Sequence, residues 1–161
     1  MQAIYTFISA AVGLALSGSQ TVATHDCRVP SLVEQKKDEA TLRRLEHAWQ
    51  SSYVTGDVEA RKCLLDRGFL EILVDGKMKR FEDEISSAKS INNAASSLDQ
   101  RIPHIKILIH GKAAVAYGRI NTNLPGTESV GVPFADYFVW EQDAWHAYFS
   151  RQTKKAPKKN W

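Results

Sequence analysis

The sequence predicts an α+β fold in which one curved antiparallel sheet packs on about three helices and closes into a cone. Two observations lead to this expectation. The first half of the chain carries helical periodicity around one hairpin, and the second half alternates apolar and polar residues between turn signals. With 161 residues, 43% of them hydrophobic, the chain is long enough to bury a single core. This order of elements is typical of a bent sheet whose inner face is covered by helices.

Two helices are expected to open the domain. From about Ser31, apolar residues recur at steps of three and four among charged ones, which predicts a long amphipathic helix. Gly56 is a C-terminal cap for this helix, and Asp57 offers an N-cap to a shorter helix that runs to about Asp66. The apolar stripe of the long helix consists of Leu42, Leu45, Trp49, Ser52 and Tyr53.

Strands and turns fill the rest of the chain. Residues 69–74 form the first strand of a hairpin that turns at Asp75-Gly76 and continues through residues 78–80. A third helix is expected over residues 82–89, and residues 90–100 lack any period and are predicted to be a loop. The four strands predicted for the second half are residues 102–110, 113–121, 134–141 and 144–151.

The N-terminus has the pattern of an export signal. Residues 4–16 form an apolar run of about 13 residues, shorter than the roughly 20 that a membrane span needs, and small residues ending at Ala23 follow it. We therefore interpret residues 1–23 as a signal peptide and expect a secreted or periplasmic protein with no membrane association. An N-terminal helix packed on the domain is the alternative. Residues 24–41 are then an N-terminal arm and the start of the first helix.

The spacing of the two cysteines and the position of the basic residues argue against a metal ion and against nucleic acid as partners. In an oxidising compartment Cys27 and Cys63 are able to form a disulfide, with two free thiols as the alternative, and the lack of CxxC spacing predicts no metal site. The net charge is +3, and residues 154–161 form a basic tail beyond the last strand. Nucleic-acid binding calls for basic residues along one face among aromatics, so no nucleic-acid partner is expected.

Several short motifs in this order resemble the nuclear transport factor 2-like superfamily, and within it the SnoaL-like branch. They span about residues 42–153, which we take as the domain. Members of the superfamily include ketosteroid isomerases, polyketide cyclases, dehydratases, epoxide hydrolases and non-catalytic association domains, so the resemblance leaves function open. The motifs are Leu45-Glu46-x-x-Trp49, Gly56-Asp57, Phe69-x-Glu71, Asp75-Gly76, Gly118-Arg119, Asp136-Tyr137-Phe138-Val139 and Trp145.

The ketosteroid isomerase pattern within this resemblance requires a carboxylate base, a tyrosine and a protonated aspartic acid. Aligned on Gly56-Asp57, the tyrosine position falls on Trp49 and the base position on Leu73, which is unable to move a proton. Only the third group is kept, as Asp136. The resemblance therefore does not extend to isomerase chemistry of that kind.

Asp136 is the leading candidate for a functional group. Alternation places it on one face with Phe138 and Trp140, and it is expected to meet an aromatic wall that includes Phe149 on the next strand. An unpaired buried carboxylate costs several kcal/mol, so Asp136 requires a proton, a hydrogen bond or a cation such as Arg119. It then either contacts a ligand or ties two strands together through Arg119.

Other side chains extend the candidate site. Glu71 shares a strand face with Leu73 and is the candidate for a displaced general base. Trp49 and Tyr53 lie one helical turn apart, as core residues or as a floor for a flat apolar ligand. The histidines lack partners at ligand spacing and are interpreted as surface or satisfied residues.

Three functions are consistent with these residues. The first is binding of a small, mostly apolar molecule in the cone, lined by Trp49, Tyr53, Leu73, Phe138 and Trp140, with Asp136, Glu71 and Arg119 as polar contacts. The second is a cofactor-independent isomerase, cyclase or dehydratase that uses Asp136 and Glu71. The third is a homodimeric interaction module whose cavity is filled by its own side chains, with Tyr137, Val139 and Tyr148 on the outer sheet face.

Overall fold

A computed structural model describes residues 27, 29–90, 99–123 and 130–154. The expected signal peptide, most of the loop predicted over residues 90–100 and the basic tail after Lys154 lie outside these residues. No helix in the described part of the chain has the length and apolarity to cross a membrane.

The part of the chain that the structure describes contains four helices, two of which begin at a side-chain N-cap. They are α1 (Pro30–Val33), α2 (Glu39–Thr55), α3 (Val58–Leu64) and α4 (Phe81–Ser90). The long helix α2 begins at Glu39 rather than near Ser31, because the Asp38 side chain accepts a hydrogen bond from the Thr41 backbone N–H and caps the first turn there. Gly56 ends α2 in the left-handed region at φ 69°, and Asp57 caps α3, which confirms both predictions.

Within the described ranges, seven strands form one sheet. They are β1 (Leu65–Ile72), β2 (Met78–Arg80), β3 (Asp99–Arg101), β4 (Ile105–His110), β5 (Ala113–Asn123), β6 (Val130–Glu141) and β7 (Ala144–Gln152). Their order across the sheet is β2-β1-β7-β6-β5-β3, and β4 pairs with β5 on the same edge as β3. The sheet curves around the helices, as expected for a cone.

The sheet is mixed rather than purely antiparallel, which corrects one part of the prediction. Strand β1 runs parallel to β7, with Leu70 paired to Phe149 and Ile72 to Arg151. Alternation and hairpin turns fix the direction only of strands that follow each other closely along the chain. The β1–β7 pair joins distant segments, so no turn signal reports its direction.

Aromatic side chains of α2 and of the inner sheet face form the centre of the core. The Trp49 ring meets the Phe69 and Phe138 rings edge to face, with centroids 5.5 and 6.4 Å apart. Trp140 and Trp145 make a similar pair at 5.3 Å next to the turn of the β6–β7 hairpin. The predicted interior of the cone is therefore filled mainly by the chain's own rings.

A β-bulge in β7 changes which residues face Asp136. The pairing moves from Tyr137–Phe149 to Phe138–Ala147, so Tyr148 is an extra residue without a partner across the ladder. Phe149 consequently lies on the outer face, and Ser150 is directly opposite Asp136. The expected position of Phe149 in the inner wall is wrong, because uninterrupted alternation was assumed through the bulge.

A disulfide joins Cys27 to Cys63, with the two Cα atoms 5.0 Å apart. It links the segment before α1 to the last turn of α3. Of the two alternatives that the sequence left open, the structure has the disulfide.

Candidate functional site

A small cavity lies between α2 and the inner face of the sheet. Its volume is about 20 Å³, enough for one water-sized group. The residues around it come from α2 and from strands β1, β5, β6 and β7; they are Glu46, Trp49, Gln50, Tyr53, Glu71, Ile120, Phe134, Asp136, Ser150 and Gln152. The helix supplies four of these at steps of three and four, the spacing that places residues on one face.

Asp136 lies on the inner face of β6, as the alternation predicted. It is 6% exposed and is flanked by Ala116 of β5 and Ser150 of β7, while its neighbour Tyr137 points outward. Burial raises the pKa of Asp136 to about 7, although hydrogen bonds from the Ser150 hydroxyl and the Glu46 carboxyl oppose the rise. Asp136 therefore exchanges its proton near neutral pH.

Glu46 is the partner of Asp136 on α2. It is 3% exposed, and burial, together with the charge of Asp136, raises its pKa well above the ordinary value. Glu46 thus carries the proton of the shared hydrogen bond and donates it to Asp136, since a protonated carboxyl is the only donor available between two acids.

Glu71 reaches the same cavity from β1. Gln152 Nε2 donates a hydrogen bond to Glu71 Oε1 at 2.8 Å. Burial raises the pKa of Glu71 to about 8, the negative charges of Glu84 and Asp136 add to the rise, and Lys79 opposes it. The structure therefore brings the predicted pair Glu71 and Asp136 together at one cavity.

Four buried polar atoms at this cavity have no hydrogen-bond partner in the described structure. They are Glu46 Oε1, Trp49 Nε1, Glu71 Oε2 and Asp136 Oδ1. Buried polar atoms in folded proteins are nearly always paired with protein or with ordered water. All four atoms belong to residues that line the same water-sized cavity, so a small polar group in that space is able to pair with them.

A buried ion pair adjoins the cavity and was missed from the sequence. Arg61 Nη1 donates to Glu84 Oε2 at 3.2 Å and to the Glu84 backbone oxygen at 2.8 Å, and both side chains are fully buried. Tyr53 donates its hydroxyl to Glu84 at 2.8 Å, and Lys79 Nζ lies 3.1 Å from the same carboxylate. Both nearby cations thus bond to Glu84 rather than to the carboxyls of the cavity.

Four of the predicted ligand-binding residues lie elsewhere. Arg119 is on the outer face of β5, where its guanidinium donates to the Gly131 carbonyl at 3.5 Å, so it is not the partner of Asp136. It lies three positions after Ala116, which pairs with Asp136, and an odd step along a strand reverses the face. Leu73 follows the end of β1 in the turn, and Phe138 and Trp140 are core residues that do not line the cavity.

The sequence contained a signal for Glu46. It lies four residues after Leu42 and three before Trp49, so it belongs to the apolar stripe that was predicted to face the sheet. Ser150 and Gln152 could not be predicted as site residues, because the bulge in β7 determines which strand positions face the cavity. His104 and His110 are exposed, and His146 is buried with a hydrogen bond to the Cys63 backbone, in line with the prediction for the histidines.

Chemically, the site is a polar, acidic cavity of minimal size. No group of three or more His, Cys, Asp or Glu residues in the described ranges has the arrangement of a metal site. Two carboxyls with pKa values near neutrality are able to accept or release protons to one small occupant. A drug-sized molecule needs about 300 Å³ and does not fit in the space described.

Comparison with known proteins assigns the fold. No family model and no curated protein matches the chain in sequence. Among solved structures, an NTF2-like protein from Cytophaga hutchinsonii superposes with a TM-score of 0.60 at 16% identity, over 72% of this chain and 97% of that one. The CaMKII hub of S. rosetta superposes with a TM-score of 0.65 at 10% identity, over 75% and 98% of the two chains.

The α+β architecture, the cone and these likenesses together define the class: the chain has the nuclear transport factor 2-like fold. A third relative in structure is an NTF2-like protein of unknown function in nutrient uptake from Rhodospirillum rubrum, with a TM-score of 0.56 at 16% identity over 71% and 98% of the chains. At these identities the likeness defines the fold alone. The assignment to the SnoaL-like branch stays a prediction.

Proposed function

We propose that this chain is a self-associating module in which two copies pair through the outer face of the sheet. The observation that carries the proposal is a continuous apolar row across five strands on that face. Strand pairing sets Leu108 beside Val115, Val115 beside Tyr137, Tyr137 beside Phe149, and Phe149 beside Leu70.

Exposure along and beside this row is high for apolar side chains. Leu108 is 62% exposed, Tyr137 42% and Tyr148 52%. Contiguous apolar surface of this kind marks interaction sites in soluble proteins. Tyrosine is also enriched at protein interfaces, because its ring buries much area while its hydroxyl keeps a polar contact.

A second copy of the chain is the partner that this face fits best. A two-fold axis perpendicular to the strands places the apolar row of one copy against the same row of the second copy, so each row is covered by the other. Two solved structures with this fold point the same way by their names: the CaMKII hub of S. rosetta and the association domain of C. elegans CaMKII, the latter at a TM-score of 0.62 and 12% identity over 70% and 92% of the chains.

The other two hypotheses have less support. An apolar ligand of drug size exceeds the cavity of about 20 Å³, and the core rings occupy the space expected for it. An acid–base enzyme has its two carboxyls, Glu71 and Asp136, at one cavity, yet the same volume leaves no room for an organic substrate. Self-association requires no such space.

Export of the module is a further part of the proposal. The Cys27–Cys63 disulfide supports it, because such bonds persist in oxidising compartments such as the periplasm and the extracellular space. N-terminal sequencing of the protein from its own host tests it. A mature N-terminus near Thr24 is expected, and a retained Met1 would contradict export.

Sedimentation velocity over a concentration series tests self-association. We expect a dimer for the wild type and at least about 30-fold weaker association for Tyr137→Lys, because the change places an ammonium group in the centre of the apolar row. Val33→Lys is the matched control, since Val33 is 53% exposed but lies on α1 and is not part of the apolar row. A wild type that stays monomeric throughout would refute the proposal.

A further inference from the structure

We propose that the cavity under α2 binds a primary ammonium group, with the carboxyl oxygens of Glu46, Glu71 and Asp136 as its acceptors. The inference is independent of self-association, because the cavity lies on the inner face of the sheet and the apolar row on the outer face.

The dimensions fit the head of an amine. An ammonium group has one heavy atom, like water, and a cavity of about 20 Å³ accommodates a group of that size. The lining residues Gln50, Tyr53, Ile120 and Gln152 are half-buried, so this part of the lining is the side from which the rest of the ligand would extend.

The acidic side chains around the cavity favour a positively charged occupant. Four buried carboxyls lie within one cluster, and the two cations near them, Arg61 and Lys79, both bond to Glu84. Each of the other three acids presents one oxygen without a partner. An ammonium group supplies three N–H donors, which matches three acceptors.

Trp49 gives a second, independent indication of an occupant. Its side chain is 4% exposed and lines the cavity, and its indole N–H has no acceptor in the described structure. A buried donor left unpaired costs about 1 to 3 kcal/mol in proteins generally. The occupant therefore includes an oxygen atom, from a water molecule that accompanies the amine or from a hydroxyl group on the amine itself.

Other classes of occupant fit less well. An anion would face three acidic groups, and an apolar group would leave all four polar atoms unpaired. Water alone offers hydrogen bonds but no positive charge to balance three buried acids, whose pKa values burial raises.

Binding of a cation is consequently linked to proton release. The titratable and charged groups that face the cavity from the packed elements are Glu46 and Tyr53 on α2, Arg61 on α3, Glu71 on β1, Lys79 on β2, Glu84 on α4 and Asp136 on β6. Because Asp136 and Glu71 have pKa values of about 7 and about 8, a bound ammonium group displaces a proton below that range. Affinity should then rise ~10-fold per pH unit between pH 6 and pH 7.

The test is a titration of isotope-labelled protein with ammonium chloride, followed by NMR at the Trp49 indole N–H. The chain has four tryptophans, so this signal is assigned by its loss in Trp49→Phe. Potassium chloride at the same concentration is the control, because potassium has the same charge and a similar size but no N–H donors. We expect a saturable shift with ammonium alone. An equal response to both salts, or no saturable response to ammonium, would overturn the proposal.

Two organic probes distinguish the sources of the oxygen. Ethylamine and ethanolamine carry the same ammonium head and differ in one hydroxyl. Tighter binding of ethanolamine assigns the oxygen at Trp49 to the ligand, and equal binding assigns it to water. Failure of both amines to bind contradicts the inference.

Variants separate this site from the dimer interface. Asp136→Asn and Glu71→Gln should each weaken ammonium binding at least ~10-fold and reduce its pH dependence, whereas Glu82→Gln, an exposed change on α4, should leave both unchanged. Glu71→Gln carries the test if Asp136→Asn does not fold. Tyr137→Lys should bind ammonium normally, so a loss of dimerisation and a loss of amine binding are distinguishable. Normal binding in both carboxyl variants would refute the assignment.

Discussion

Replacement of Glu71 by glutamine should change how stability depends on pH. Glu71 is 2% exposed, and burial raises its pKa from an ordinary 4.5 to about 8. Between these values the folded protein keeps a proton on Glu71 that the unfolded chain has lost. Stability contributed by this group is therefore complete below about pH 4.5 and is lost as the pH rises towards 8.

The magnitude follows from the proton count. One proton held only by the folded state lowers the free energy of unfolding by about 1.4 kcal/mol per pH unit, so Glu71 accounts for ~2 kcal/mol between pH 5.5 and pH 7. In Glu71→Gln this contribution vanishes, while the Gln152 hydrogen bond to the side-chain oxygen is retained.

Urea denaturation of both proteins at pH 5.5 and pH 7 measures the effect. The free energy of unfolding of Glu71→Gln should rise by ~2 kcal/mol relative to wild type as the pH is raised. The lowered pKa of His146 has the same effect in both proteins and cancels in the comparison. Glu82→Gln, exposed on α4, should follow the wild type. Equal pH dependence of Glu71→Gln and wild type would refute the reasoning.

Three further predictions concern the scaffold. Arg61→Met should lower the free energy of unfolding by about 3 to 5 kcal/mol in urea denaturation, because it leaves the buried Glu84 carboxylate without its guanidinium partner; a loss below 1 kcal/mol would contradict a structural ion pair. Replacing both Cys27 and Cys63 by serine should cost about 4 kcal/mol by loop-closure entropy across 36 residues, and reduction of the wild type should cost the same. Gly118→Ala should lower the melting temperature, since an added Cβ would overlap the His104 backbone oxygen, just before β4. An unchanged melting temperature would show that β4 and β5 can move apart without loss of stability.

Local patterns in the sequence were sufficient for the helices and the hairpin turns. The stripe from Leu42 to Tyr53, the Gly56 cap and the Asp57 cap each depend on neighbours within a few residues, and the structure confirms all of them. The predicted strands 134–141 and 144–151 are confirmed as neighbours, and Gln142 and Asp143, both at positive φ, form the turn between them.

The site was only partly predictable, because its geometry depends on distant pairings. Asp136 and Glu71 were found from strand alternation, and both line the cavity. Arg119 was misplaced because its face depends on the register of β5 against β6, and Phe149 because a bulge in β7 leaves no mark in a single sequence. Glu46 could have been predicted, since it lies on the apolar stripe of α2. It was not included among the site residues because an acidic residue on such a stripe is not expected to be buried.

The parallel pairing of β1 with β7 has a consequence for how the chain folds. The two strands are separated by about half of the chain, so the first hairpin stays without its main neighbour until the last strand has been synthesised. Contacts of such long sequence separation slow folding, because the entropy of ordering the intervening segment is lost before they form. During synthesis the edge of β1 that pairs with β7 therefore stays unpaired, and a chain truncated before residue 144 would keep that edge open.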